Sequence, residues 1–92
     1  MKRMTIIKED NMVGIDGKFF QIDCSALPSN FHALQWYEDD NYGEIEWSGK
    51  PTRPRNTPIS SLQDYQEYID KWNAKYQEYL LWEEQNNIQQ DS

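Results

Sequence analysis

Carboxylates crowd one short stretch of the chain, Glu38-Asp39-Asp40-Asn41 with Glu44 close behind, and oxygen donors so grouped raise calcium binding first. An EF-hand loop needs oxygen ligands at alternating positions, a glycine at the sixth and a glutamate at the twelfth. Counted from Asp39 or from Asp40, the chain supplies neither. The stretch reads as a solvated hairpin loop. His32 is the only histidine and Cys24 the only cysteine, which excludes an ordinary zinc site and an internal disulfide. With no basic neighbour within several residues to lower its pKa, Cys24 is expected to be a small filler, and His32 a strand-end residue hydrogen-bonded to backbone. Nothing marks a carboxylate pair for acid–base work, and there is neither a glycine-rich phosphate loop nor a Gly-x-Ser-x-Gly elbow. The chain reads as a non-enzyme with no cofactor and no metal.

Charge narrows the partners. The net charge is −7, and it is uneven: residues 60–92 hold seven acidic and two basic side chains. Such a surface repels phosphate backbones, so nucleic acid is not the expected ligand. Lys50, Arg53 and Arg55 form a small basic cluster inside a Pro-rich stretch, read as a solvated linker. The longest apolar run near the start, residues 4–7, is interrupted by Thr5 and is too short for a membrane span or a signal-peptide core. A reducing, cytosolic setting suits the lone thiol.

The strongest pattern is aromatic. Thirteen of the 92 residues are Phe, Trp or Tyr, and Tyr65, Tyr68, Trp72, Tyr76, Tyr79 and Trp82 recur at three- and four-residue steps in a segment free of Pro and Gly. That spacing predicts a helix with a wide aromatic face. Leu62, Tyr65, Ile69, Trp72, Tyr76 and Tyr79 form its main stripe, with Tyr68, Leu80, Leu81 and Trp82 widening or leaving it. Pro58 ahead of it, Ser60 as cap and Gln63 three residues on make a capping box, placing the helix from about Ser61 to about Gln85.

The elements ahead of it read as short strands. Thr5-Ile6-Ile7, Met12-Val13-Gly14-Ile15 and Phe19-Phe20-Gln21-Ile22 are separated by Glu9-Asp10-Asn11 and by Asp16-Gly17, the latter a type I′ hairpin signal. Residues 23–30 form a crossing loop with Leu27 tucked under it, and residues 32–37 and 44–47 pair as a second hairpin. Alternation puts Ile45 and Trp47 on one face and Glu44 and Glu46 on the other, while Leu34 and Trp36 share the buried side with His32 at the strand's end. The expected fold is α+β: a small antiparallel β-meander of about four to five strands over residues 1–48, a Pro-rich linker over 49–59 that leaves the sheet without joining it, an amphipathic aromatic helix over 60–86 and a polar tail over 87–92.

A domain of this length buries only about 60 to 65% of its unfolded surface. A helix spanning roughly 35 Å outruns a sheet of five-residue strands, so its far end should project and meet another chain. Trp72, Tyr76, Tyr79, Leu80 and Trp82 are the expected partner-binding residues, because Tyr and Trp carry interface energy at little conformational cost.

The text His32-Ala33-Leu34-Gln35-Trp36-Tyr37, then Tyr42-Gly43-Glu44-Ile45-Glu46-Trp47, then a Pro-rich gap and Tyr68-Ile69-Asp70-Lys71-Trp72, resembles small tail-fibre-associated proteins of tailed bacteriophages. The resemblance covers most of the chain through short motifs, and the aromatic extension over residues 76–82 is longer here. It implies a tail-fibre or baseplate protein as partner, and a role as assembly chaperone or small virion component. The setting it implies is the host bacterial cytoplasm during assembly, or the virion tail. Two other readings stand beside it: a structural protein that forms a homo-oligomer through the C-terminal helix, and an acidic inhibitor of a host nucleic-acid-binding defence protein.

Overall fold

A computed structural model describes residues 1–49, 52 and 54–91, with side chains described as far as residue 86. Lys50 and Arg53 of the expected basic cluster lie outside the described residues, and Arg55 is exposed. The elements are β1 (Arg3–Ile7), β2 (Met12–Ile15), β3 (Lys18–Gln21), β4 (Phe31–Tyr37), β5 (Tyr42–Trp47), β6 (Thr57–Ile59), a 3-10 turn (Gln63–Tyr65) and α1 (Gln66–Asp91). The strands make one six-stranded antiparallel sheet in the order β3-β2-β1-β4-β5-β6, and the fold is α+β as expected, with more strands than the four or five anticipated.

Turn chemistry sets the hairpins. Asp16 and Gly17 both take positive φ, 52° and 84°, the conformation a type I′ connection demands. The other two tight loops share one design: Asn11 and Asn41 close them at φ 50° and 47°, and each donates its N–H three residues back, to Lys8 at 3.1 Å and to Glu38 at 3.0 Å. Asparagine tolerates that left-handed geometry better than most residues.

Register then lays two apolar rows across the sheet. One runs Ile15, Met4, Trp36, Gly43 and Ile59; the other runs Phe20, Val13, Ile6, Leu34 and Ile45. Both rows face α1, and Met4, Ile6, Val13 and Leu34 are fully buried there. Each large apolar side chain so covered is worth about 1.5 to 3 kcal/mol.

Three expectations are corrected. The stretch expected to leave the sheet without joining it joins it at its far end: Thr57–Ile59 pair with β5, and Trp47 donates its indole N–H to Thr57 Oγ1 at 2.9 Å. Pro58 is tolerated because β6 is an edge strand, where a missing N–H breaks no ladder. His32 does not share the Leu34–Trp36 face, because the register shifts between Phe31 and Ala33 and the extra residue turns Phe31 inward instead. Finally, the α-helix starts at Gln66, later than expected. Ser60 does not cap it; Ser61 Oγ accepts the Gln63 N–H at 3.1 Å, and the 3-10 turn follows while Leu62 enters the core. With no Pro or Gly to stop it, α1 continues past Gln85 to Asp91.

Candidate functional site: the projecting end of the C-terminal helix

At 1.5 Å per residue α1 is about 39 Å long, whereas six strands about 4.8 Å apart span roughly 24 Å. The helix crosses the sheet face, touches β2 and β3, and continues beyond them, giving a molecule of 58 × 28 × 18 Å. Where it overlaps the sheet its rings are covered. Tyr68 and Trp72 are buried at 3% and 7% exposure, and burial pushes the phenols of Tyr65 and Tyr68 above their ordinary pKa.

Trp72 is therefore not a free anchor. Its indole N–H donates to the Lys18 carbonyl at 2.9 Å, and its ring lies 5.5 Å from Phe20. Tyr76 and Tyr79 are half-buried, with centroids 6.4 and 6.1 Å from Phe20, the last sheet ring the helix meets. Lys18 Nζ sits 4.2 Å over Tyr79 and 5.3 Å over Tyr76, so the edge strand holds these rings by both an apolar and a cationic contact. The rings continue as a ladder, Trp72 on Tyr76 at 5.0 Å, Tyr76 on Tyr79 at 6.4 Å, and Tyr79 on Trp82 at 6.2 Å.

Past Tyr79 the cover ends. Leu80, Leu81 and Trp82 are 38%, 60% and 61% exposed, the largest such run in the described chain. A helix advances about 100° per residue, so these side chains point three ways, with Leu81 opposite Trp72. A turn that is apolar on all sides is uncommon on a free surface. Trp82 is also the only tryptophan whose indole N–H has no protein partner among the described residues, since Trp36 donates to Glu38, Trp47 to Thr57 and Trp72 to Lys18.

Lys18 and Phe20, which support the rings, and Leu81, which extends the exposed turn, were not among the expected site residues. Strand alternation after Asp16-Gly17 does place Lys18 and Phe20 with Ile15 and Val13, and is the signal that finds them.

The chemistry-bearing residues stay apart. The Cys24 thiol is buried, donates to the Ile22 carbonyl at 3.2 Å, and is held above its usual pKa by burial. His32 Nδ1 lies 3.8 Å from Glu9 on the surface. Glu38 accepts the Trp36 indole N–H, whereas Glu44 accepts from Tyr42 and Asn56, bonds that lower its pKa. Among the described residues no group of three His, Cys, Asp or Glu is placed to hold a metal ion, and no helix is long and apolar enough to cross a membrane.

The fold and site define a small α+β domain with an overshooting aromatic helix. Set against protein-family models, curated proteins and solved structures, the chain matches none.

Proposed function

We propose that this chain is a non-enzymatic binding module that docks on another protein through the free end of α1. The observation that carries the reading is the exposed apolar turn of Leu80, Leu81 and Trp82 beyond the sheet. With Trp72 in the core and Tyr76 and Tyr79 committed to Phe20 and Lys18, the anchors are Leu80, Leu81 and the edge of Tyr79. Trp82 completes the turn. The partner is a tail-fibre or baseplate protein of a tailed bacteriophage, and the module acts as assembly chaperone or small virion component. That part of the proposal draws on the resemblance carried by His32-Ala33-Leu34-Gln35-Trp36-Tyr37, Tyr42-Gly43-Glu44-Ile45-Glu46-Trp47 and the Tyr68 to Trp72 motif. Co-expression with a tail-fibre protein of a tailed bacteriophage, followed by affinity capture, tests the reading. Wild type retains the fibre protein, and a Leu80→Asp, Leu81→Asp double variant loses it. Equal recovery by both removes the helix end as the docking element.

A further inference from the structure

Asp16-Gly17 is the chain's one Asp-Gly pair, and the sequence holds no Asn-Gly pair. That dipeptide has a chemistry of its own. Glycine carries no Cβ to shield its nitrogen, so in an open chain the Gly17 nitrogen meets little hindrance in attacking the Asp16 side-chain carboxyl carbon. A C–N bond forms, a carboxyl C–O bond breaks, and the hydroxyl leaves with the amide proton as water, closing a five-membered imide. Water then opens the ring. Cleavage at the side-chain carbonyl restores aspartate, whereas cleavage at the main-chain carbonyl routes the backbone through Cβ and Cγ and gives isoaspartate. The sum is an isomerisation at constant mass.

The folded corner opposes that step in two ways. Asp16 and Arg3 hold each other in both directions: the Asp16 N–H donates to the Arg3 carbonyl at 2.9 Å, and Asp16 Oδ1 accepts the Arg3 N–H at 2.9 Å. The same oxygen accepts the Lys2 N–H at 2.7 Å, and Oδ2 lies 4.0 Å from the Met1 ammonium. These donors favour the ionised carboxylate and hold its pKa below the ordinary value, and an ionised carboxylate has no hydroxyl to lose to an attacking nitrogen. Geometry is the second obstacle. Asp16 and Gly17 stand at φ 52° and 84° in a type I′ turn, which fixes ψ of Asp16 at about 30°. The flat imide ring requires a ψ far from that value. The Asp16 side chain is 48% exposed, so these bonds and the turn, not burial, are what restrain it.

We infer that Asp16 is a site of isoaspartate formation that the folded β1–β2 corner suppresses, and that conversion, once made in an open chain, unseats the helix. Isoaspartate adds one backbone atom to a two-residue loop that the Ile15–Lys18 pair closes, so the change is felt first at Lys18. Lys18 is the residue whose carbonyl accepts the Trp72 indole N–H and whose ammonium lies over Tyr76 and Tyr79. None of this depends on what the far end of α1 meets.

Peptide mapping by mass spectrometry tests it: the imide is one water lighter, and isoaspartyl and aspartyl peptides of equal mass separate by chromatography. At neutral pH, wild type converts at residue 16 at least about tenfold more slowly when folded than in guanidinium chloride, because conversion waits on local opening. Lys2→Pro removes the shorter of the two bonds to Oδ1. That variant converts faster than wild type when folded, as circular dichroism verifies, and at the wild-type rate in denaturant. The isolated isoaspartyl chain, refolded, melts below its aspartyl counterpart. The two wild-type comparisons stand without the variant. No conversion in denaturant, equal wild-type rates in the two states, a folded Lys2→Pro no faster than folded wild type, or equal melting of the two chains overturns the inference.

Discussion

The Trp72 indole N–H donates to the Lys18 carbonyl at 2.9 Å, across 54 residues of sequence, and so fastens the helix to the edge strand of the sheet. Lys18 sits two residues after Asp16, immediately past the type I′ turn, and its side chain reaches Tyr76 and Tyr79. One edge residue thus offers its carbonyl to the last buried ring and its ammonium to the next two.

The pair sets the first expectation. Trp72→Phe keeps most of the apolar volume and loses one hydrogen bond, a cost of about 1 kcal/mol. Trp72→Ala opens a cavity under the helix and costs about 3 to 5 kcal/mol. Urea unfolding followed by circular dichroism reads both, and equal costs for the two variants would deny that the ring's bulk matters more than its N–H.

Much of this fold was legible in the sequence, and what was not has a common cause. Met12-Val13-Gly14-Ile15 and Asp16-Gly17 state strand and turn through local chemistry alone, and each appears where local rules put it. Pro58 misled because its meaning depends on whether its strand lies at an edge, which is settled by β6 pairing with β5 on one side and with no described strand on the other. His32 misled because alternation assumes an unbroken register, and the shift beside it is visible only against Trp47 and Glu46 on the neighbouring strand. The aromatic spacing located the helix face, but not where cover stops. Trp72 and Trp82 look alike in sequence, and it is the position of Phe20 on β3 that leaves one inside and the other out.

Gly14 and Gly43 separate two kinds of crowding. A Cβ on Gly43 would lie 2.5 Å from the Gln35 carbonyl oxygen, fixed in the β4 backbone, so Gly43→Ala must distort the β4–β5 pair and is expected to cost about 2 kcal/mol or more. The nearest atoms a Cβ on Gly14 would meet all belong to the ring of Phe19, an exposed side chain rather than backbone. Gly14→Ala should cost under about 1 kcal/mol. Thermal midpoints of the two variants check the order, and a reversal would mean that Phe19 is pinned.

Acid should weaken the β1–β2 corner through Asp16. Its carboxylate accepts the Arg3 N–H at 2.9 Å and the Lys2 N–H at 2.7 Å, and these bonds hold its pKa below the ordinary value. A folded pKa that is depressed gives stability present above the unfolded value of about 3.9, and that stability is lost as pH falls through the folded value. Asp16→Asn removes the titrating group, so its melting temperature should fall less steeply than wild type's below about pH 4. Parallel curves for the two proteins would assign the acid response to other groups, Asp23 and Glu44 first, since both are lowered by similar bonds.

The exposed turn gives the converse of the Trp72 expectation. Leu81 is 60% exposed, points away from the sheet, and touches no part of the core cluster. Folding gains little from it, so Leu81→Ser should shift the unfolding midpoint by no more than about 0.5 kcal/mol while making that end of the surface more polar. Chemical denaturation at low micromolar concentration, where association is weak, isolates the fold itself. A loss of about 2 kcal/mol or more would place Leu81 within the protomer's own packing, and a leucine held for internal packing would no longer mark a surface kept for another chain.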